Sequence, residues 1–302
     1  MTLDGGADGA VTAPLPARPS EGCAGEVSSE RTLETVMIEH AGVERSYSLY
    51  IPKAGGAGPR PLVVNFHGFR SNPLEQQVLS KMNAKADAEG FIIAYPLGIE
   101  NVPDPMGRTP TAWNGGTCCA EPADRDDVGF ARALVADVGK RTCVDERRVY
   151  ATGMSNGGFM THRLACEAAD LFAAFAPVSG TMVLDPTTCN PARPVPIVMF
   201  HGTEDQSVPY AGHPPTLSAE ASFDVYRQKN GCQGEAKVSL AAGGARCETF
   251  DACEGGVEVT LCSIEGMAHC WPGNSFCPAG PSTTDVSAND EMWALFERHP
   301  LP

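Results

Sequence analysis

Apolar and polar residues alternate over residues 35–40 and again over 45–51, with Ala41, Gly42 and Val43 between them. A period of two puts successive side chains on opposite faces, so this stretch is predicted to form a β-hairpin. The next apolar run, Pro61-Leu62-Val63-Val64-Asn65-Phe66, does not alternate and suits a strand buried on both faces. A helical pattern over 74–88 and a second buried strand over 91–95 complete a βαβ unit. A long loop, 96–124, follows, carrying Trp113 and the adjacent Cys118 and Cys119. Further along, helices are expected over 127–140, 157–168, 216–229 and 289–298. Strands are expected over 147–152, 172–178, 195–200, 237–240 and 257–264. Alternation of this kind predicts an α/β fold with a mostly parallel central sheet and helices on both faces.

The first thirty residues are Gly, Ala, Pro, Asp and Ser with almost nothing bulky to bury. They are expected to form a flexible N-terminal tether, residues 1–30, ahead of a single domain over 31–302. No run of eighteen apolar residues occurs, so no membrane insertion is expected. The N-terminus also lacks the basic, apolar and small-residue succession of a secretory leader. The formal charge of −15 and a pI near 4.8 argue against nucleic acid or an anionic membrane as partner, since both require a basic face. The 12 cysteines are many for a cytosolic enzyme and fit disulfides made in an oxidising compartment. The expected location is therefore secreted or tethered at the cell surface, with a leader removed from this version of the chain. Two CxxC-like pairs, the usual mark of a zinc site, are missing, so no metal is expected.

One pentapeptide carries chemistry: Gly153-Met154-Ser155-Asn156-Gly157, set between the predicted strand at 147–152 and the helix that follows. A sharp strand-to-helix turn projects the serine above the sheet, and flanking glycines leave room for it. Ser155 is the candidate nucleophile. The amide of Asn156, at the helix N-terminus, is one candidate donor to a developing oxyanion. The amide of Phe69, in His67-Gly68-Phe69 after the strand at 61–66, is the other. Partners of such a serine follow in the order acid, then histidine, which excludes His67 as base and Asp124, Asp126 and Asp127 as the acid. That acidic cluster is expected to cap a helix and carry surface charge. Asp205, in the loop after the strand at 195–200, is the candidate acid, with the adjacent Glu204 as rival. Of the histidines beyond it, His269 follows a predicted strand and precedes the last helix. His213 lies close to the acid's own loop and His299 trails the final helix, which leaves His269 as the candidate base.

With these residues in place, the sequence resembles the extracellular poly(3-hydroxybutyrate) depolymerase and feruloyl esterase family, a branch of the α/β hydrolases. The resemblance is carried by Phe66-His67-Gly68, Trp113 with Cys118-Cys119, residues 126–130, residues 148–158, His201-Gly202-Thr203 with Asp205 and Val208-Pro209-Tyr210, and His269 with Trp271-Pro272-Gly273. It implies an α/β-hydrolase fold with disulfide-stapled loops. It also implies a serine carboxylesterase without a cofactor, acting on feruloyl-type aryl esters or on hydroxyalkanoate polyesters and oligoesters; a monomer is expected. Trp113, Trp271 and His67 become candidate substrate contacts, with core filling as the alternative for the tryptophans. Cys270 is expected to pair with Cys277, and Cys118 and Cys119 with Cys143 and Cys166. Tannase-like feruloyl esterases place a cysteine before the serine, and Met154 rules out that bridge here. A serine peptidase, or a non-catalytic binding protein of the same fold, remains the competing reading.

Overall fold

The computed structural model describes residues 15–25, 31–56, 58–101, 103, 106–120 and 124–302. Strands β1 (Thr32–His40) and β2 (Val43–Ile51) are the predicted hairpin, paired antiparallel from Thr32–Ile51 to His40–Val43. Ala41 and Gly42, both at positive φ, make its turn. The chain continues through β3 (Arg60–Phe66), helices α1 (Pro73–Ser80) and α2 (Met82–Glu89), and β4 (Ile92–Pro96). The short strands β5 (Ile99–Glu100) and β6 (Thr111–Ala112) pair within the long loop. Next come α3 (Asp127–Arg141), β7 (Val144–Met154), α4 (Asn156–Glu167), β8 (Ala174–Val178), β9 (Ile197–Gly202) and α5 (Ala219–Lys229). The chain closes with β10 (Lys237–Ala242), β11 (Ala245–Phe250), β12 (Val259–Ile264) and α6 (Ala288–Arg298).

Ten strands form one sheet in the order β1-β2-β4-β3-β7-β8-β9-β12-β11-β10. The run from β4 to β12 is parallel, and both margins are antiparallel. Strand pleating sorts the core into two layers. Leu62, Val64 and Phe66 pack on one side with residues of α3, α4 and α5. Val63, between them, packs on the other side with Met82 and Ala86 of α2 and Trp293 and Phe296 of α6. This is the α/β-hydrolase arrangement, and it brings the ends of β3, β7, β9 and β12 to one rim.

Four expectations need correction. The single helix expected over 74–88 is two, broken at Lys81, which adopts a left-handed conformation (φ 50°). No strand is predicted over β11, whose inward positions include the small Ala245 and Cys247. The tether is not free throughout. Pro19 bridges Asp145, the Arg18 amide donates to Asp145 Oδ1 at 2.9 Å, and Cys23 is disulfide-bonded to Cys143. Residues 1–14 and 26–30 of that stretch lie outside the described residues. Finally, Cys118 pairs with Cys119 itself and Cys166 with Cys189, whereas Cys270–Cys277 is formed as expected. Cys232–Cys253 and Cys247–Cys262 complete six disulfides. Bridging follows Cα proximity, which the docked N-terminal segment and the loop after β8 create and sequence spacing does not encode.

Candidate active site

Ser155 sits between the last residue of β7 and the first of α4, at φ 58° and ψ −119°. For a non-glycine residue this is a strained conformation, kept only because the surroundings impose it. The flanking glycines are required by close approach. A Cβ at Gly153 would fall 2.6 Å from the Gly157 carbonyl oxygen and 2.7 Å from that of Phe66, and one at Gly157 would collide with the same Phe66 oxygen. A serine preceding a helix normally caps it; the Ser155 side chain makes no such bond, and its hydroxyl is left for chemistry.

The acid and base loops are stitched together by backbone bonds. The Thr203 amide donates to Ile264 O at 3.0 Å and the Glu204 amide to Met267 O at 3.1 Å. Ser179 Oγ donates to Cys270 O at 3.0 Å, and the Cys270–Cys277 disulfide closes the loop beyond the histidine. Within this frame His269 Nδ1 lies 2.7 Å from Asp205 Oδ2. Asp205 is buried, and its Oδ1 accepts from the amides of Ser207 (2.9 Å) and Val208 (2.8 Å). The carboxylate thus accepts three hydrogen bonds, and because it can only accept, Nδ1 of His269 is fixed as a donor, leaving Nε2 to accept. His201 Nε2 lies 3.6 Å from Asp205 Oδ2 and donates to Val208 O at 2.7 Å. Burial lowers the pKa of His201, so it stays neutral beside the acid. Glu204, the rival acid, is exposed.

Ser155, Asn156, Phe69 and His269 line one cavity of about 650 Å³, together with Phe159, Val208 and the Cys118–Cys119 disulfide. A Cβ built at Gly68 would lie 4.0 Å from Ser155 Oγ, so the segment bearing the Phe69 amide runs directly past the serine. His213 also borders this cavity but makes no ion pair with Asp205, and His299 binds Glu258 at 3.2 Å on another face.

The three expected substrate contacts are placed otherwise. Trp113 is fully buried; its indole N–H donates to His67 O at 2.9 Å, and its backbone pairs with both amide atoms of Asn156 (2.8 and 3.0 Å). Trp271 is buried with its N–H on Asn289 Oδ1 at 3.0 Å. His67 is buried too. Its Nδ1–H donates to Gly68 O at 2.7 Å and its Nε2 accepts from the Gly98 amide at 2.9 Å, while loss of hydration pushes its pKa down to about 4. These side chains hold the cavity walls instead of lining it, because each has its polar atoms satisfied inside the protein. Of the acidic cluster, Asp126 caps α3 as expected, accepting from the Gly129 amide at 2.8 Å. Asp127 is not a surface charge: it is buried, 2.9 Å from the Arg45 guanidinium, and accepts from the Asn114 amide at 2.7 Å. Sequence reasoning did not place Phe159, Val208 or the exposed apolar residues near His269 at a cavity, since nothing in a linear pattern marks which apolar residues face one.

Fold and site together define a chain of the α/β-hydrolase class with a serine at the elbow. Residues 45–211 match the family described as Esterase PHB depolymerase, and the chain belongs to that family of esterases. It is 37% identical over 221 residues to feruloyl esterase B of Piromyces equi, covering 69% of this chain and 39% of the relative. The chain thus spans well under half of that relative's length. It is 31% identical to the putative esterase NocK of Nocardia uniformis subsp. tsuyamanensis, over 83% of this chain and 77% of the relative. An acetyl xylan esterase from Aspergillus awamori shares the fold with a TM-score of 0.61 at 14% identity, over 88% of this chain and 99% of the other. Among the described residues, no helix is long and apolar enough to cross a membrane.

Proposed function

We propose that this chain is a secreted carboxylic ester hydrolase working through an acyl-enzyme on Ser155. The observation that carries the reading is the 2.7 Å contact between His269 Nδ1 and Asp205 Oδ2 beside a serine held at an unfavourable elbow in the same cavity. In the proposed reaction His269 Nε2 takes the Ser155 proton as Oγ bonds the ester carbonyl carbon, and the carbonyl oxygen gains the charge. The amides of Asn156 and Phe69 stabilise that oxyanion. As the carbon–alkoxide bond breaks, His269 returns the proton to the leaving alcohol. Water, deprotonated by the same imidazole, then releases the acid, while Asp205 keeps the imidazole in one tautomer and stabilises its cation. No step calls for a cofactor.

The acyl half in this proposal is a hydroxycinnamate or a hydroxyalkanoate. The family description and the feruloyl esterase among the relatives support these two classes. Six disulfides support export to an oxidising compartment. The test is a panel of methyl ferulate, p-nitrophenyl butyrate and a hydroxybutyrate polyester, with Ser155→Ala beside the native chain. The substitution is expected to lower turnover by on the order of 10⁴ to 10⁶. An unchanged rate, or hydrolysis of a matching anilide as fast as the ester, overturns the proposal.

A further inference from the structure

Helix α1 is inside out. It buries Gln76, whose Nε2 donates to Asn65 Oδ1 (2.7 Å), and Ser80, whose Oγ donates to Gln76 O (2.7 Å), and it exposes Leu74 (67%) and Val78 (54%). Surface helices of globular proteins do the reverse. Leu74 and Val78, one turn apart, face Phe276 (56% exposed) across a groove of about 560 Å³ whose remaining walls include Met154 and His269. The groove is held open by a built frame. Asn274 Nδ2 donates to Val78 O (3.2 Å) and Leu79 O (2.8 Å), Asn289 Nδ2 donates to Ser80 O (2.8 Å), and Cys277 ties the far wall to Cys270. Three large apolar side chains are therefore kept in water at the rim of the site, where folding gains nothing from them.

Resting on the proposed esterase chemistry, we infer that this groove binds the alcohol half of the substrate and that this half is apolar. His269 is the wall shared by the groove and the main cavity, whereas Ser155, Asn156 and Phe69 belong to the main cavity alone. A carbonyl attacked by Ser155, with its oxygen toward the two amides, occupies the main cavity. Its leaving oxygen must face His269 to be protonated, and whatever that oxygen carries passes His269 into the groove. Leu74, Val78, Phe276 and Pro278 offer hydrocarbon contact, and besides His269 the polar side chains on the groove are Ser71 and Glu75, which bond each other (Ser71 Oγ to Glu75 Oε2, 2.7 Å). Such a surface rewards an alkyl or ester-chain alcohol and gives the several hydroxyls of a sugar few partners.

The experiment is a series of butyrate esters with one acyl group and methyl, butyl, hexyl or glucosyl alcohols, read as kcat/KM. Each methylene placed in a half-open groove should raise kcat/KM by about two- to fourfold, and hexyl over methyl by about thirtyfold or more, with the glucosyl ester no better than methyl. In Leu74→Ser/Val78→Ser and in Phe276→Ser the hexyl-to-methyl ratio should fall by about tenfold. That ratio does not depend on how much variant is folded. Should a variant yield no enzyme, 1-hexanol must inhibit the native chain competitively, and inhibition no stronger than by methanol overturns the inference. A native ratio near one, a ratio the substitutions leave intact, or a matching loss in a series of methyl esters with lengthening acyl chains also overturns it while leaving the esterase reading standing. Failure of every ester to react defeats the esterase reading itself.

Discussion

Replacing His67 tests the proposed oxyanion donors, because the imidazole touches neither cavity yet holds the peptide that carries one of them, the Phe69 amide. Its Nδ1–H holds Gly68 O at 2.7 Å. That carbonyl and the Phe69 N–H belong to one planar peptide, so holding the oxygen aims the amide in the opposite direction. Nε2 is pinned by the Gly98 amide at 2.9 Å, which fixes the ring itself. His67→Ala removes both anchors. Leaving the buried Gly98 amide unpaired costs about 1–3 kcal/mol of stability, and the vacated volume adds to it. If the peptide then turns away, the transition state loses up to about 3–4 kcal/mol, or 10²–10³ in kcat. The assay is kcat and KM on p-nitrophenyl butyrate at a temperature where circular dichroism shows the variant folded, normalised by titrating Ser155 with an organophosphate. A drop in kcat with KM little changed is expected. His67→Asn, which keeps a donor near the Nδ1 position, should recover at least tenfold. A folded variant with kcat within about threefold of the native chain would refute the positioning argument.

Three further outcomes follow from the same contacts. Asp205→Asn, which removes the acceptor of His269 Nδ1–H, should lower kcat by about 10⁴ with the fold intact, and a loss below tenfold would contradict the tautomer assignment. Breaking Cys23–Cys143, a link across 120 residues, with a double Ser substitution should cost at most about 5 kcal/mol and lower Tm by roughly 5–10 °C. Esterase activity at 25 °C should persist in that variant, because the link lies in the N-terminal segment and not at the catalytic rim. Burial holds His67 and His162 neutral with pKa values lowered to about 4, whereas an unfolded chain protonates both near 6.5. Unfolding therefore takes up protons below pH 6.5, and stability is lost as pH falls from about 6.5 to 4, by on the order of 3 kcal/mol per histidine at most. Thermal melts across that window in native chain and His162→Gln should show the decline and its partial removal; a flat Tm in the native chain refutes it.

The candidate site positions were legible in the sequence because each is tied to a local rule. Gly153 and Gly157 mark a turn that any side chain would obstruct. Asp205 and His269 follow apolar runs that must be strands, and the end of a parallel strand is a fixed place on the sheet. Asp126 reads as a cap because it stands just before a helical pattern.

What remained hidden depended on contacts between distant segments. Leu74, Val78, Met82 and Ala86 form one apolar stripe at a spacing of four, and a linear reading turns all of it inward. The break at Lys81 sends Met82 and Ala86 into the core and leaves Leu74 and Val78 outside. That break is held by Asn274 and Asn289, nearly two hundred residues away or more, which take the carbonyls the helix leaves unpaired. Trp113 and His67 look like binding residues in sequence, yet the fold consumes their polar atoms internally. The sequence by itself determined most of the strands and helices and the order of the candidate reacting groups, since periodicity and turn chemistry act over a few residues. Only the tertiary structure decided which apolar side chains stay in water and which cysteines meet, because those outcomes depend on packing and hydrogen bonds across the whole chain.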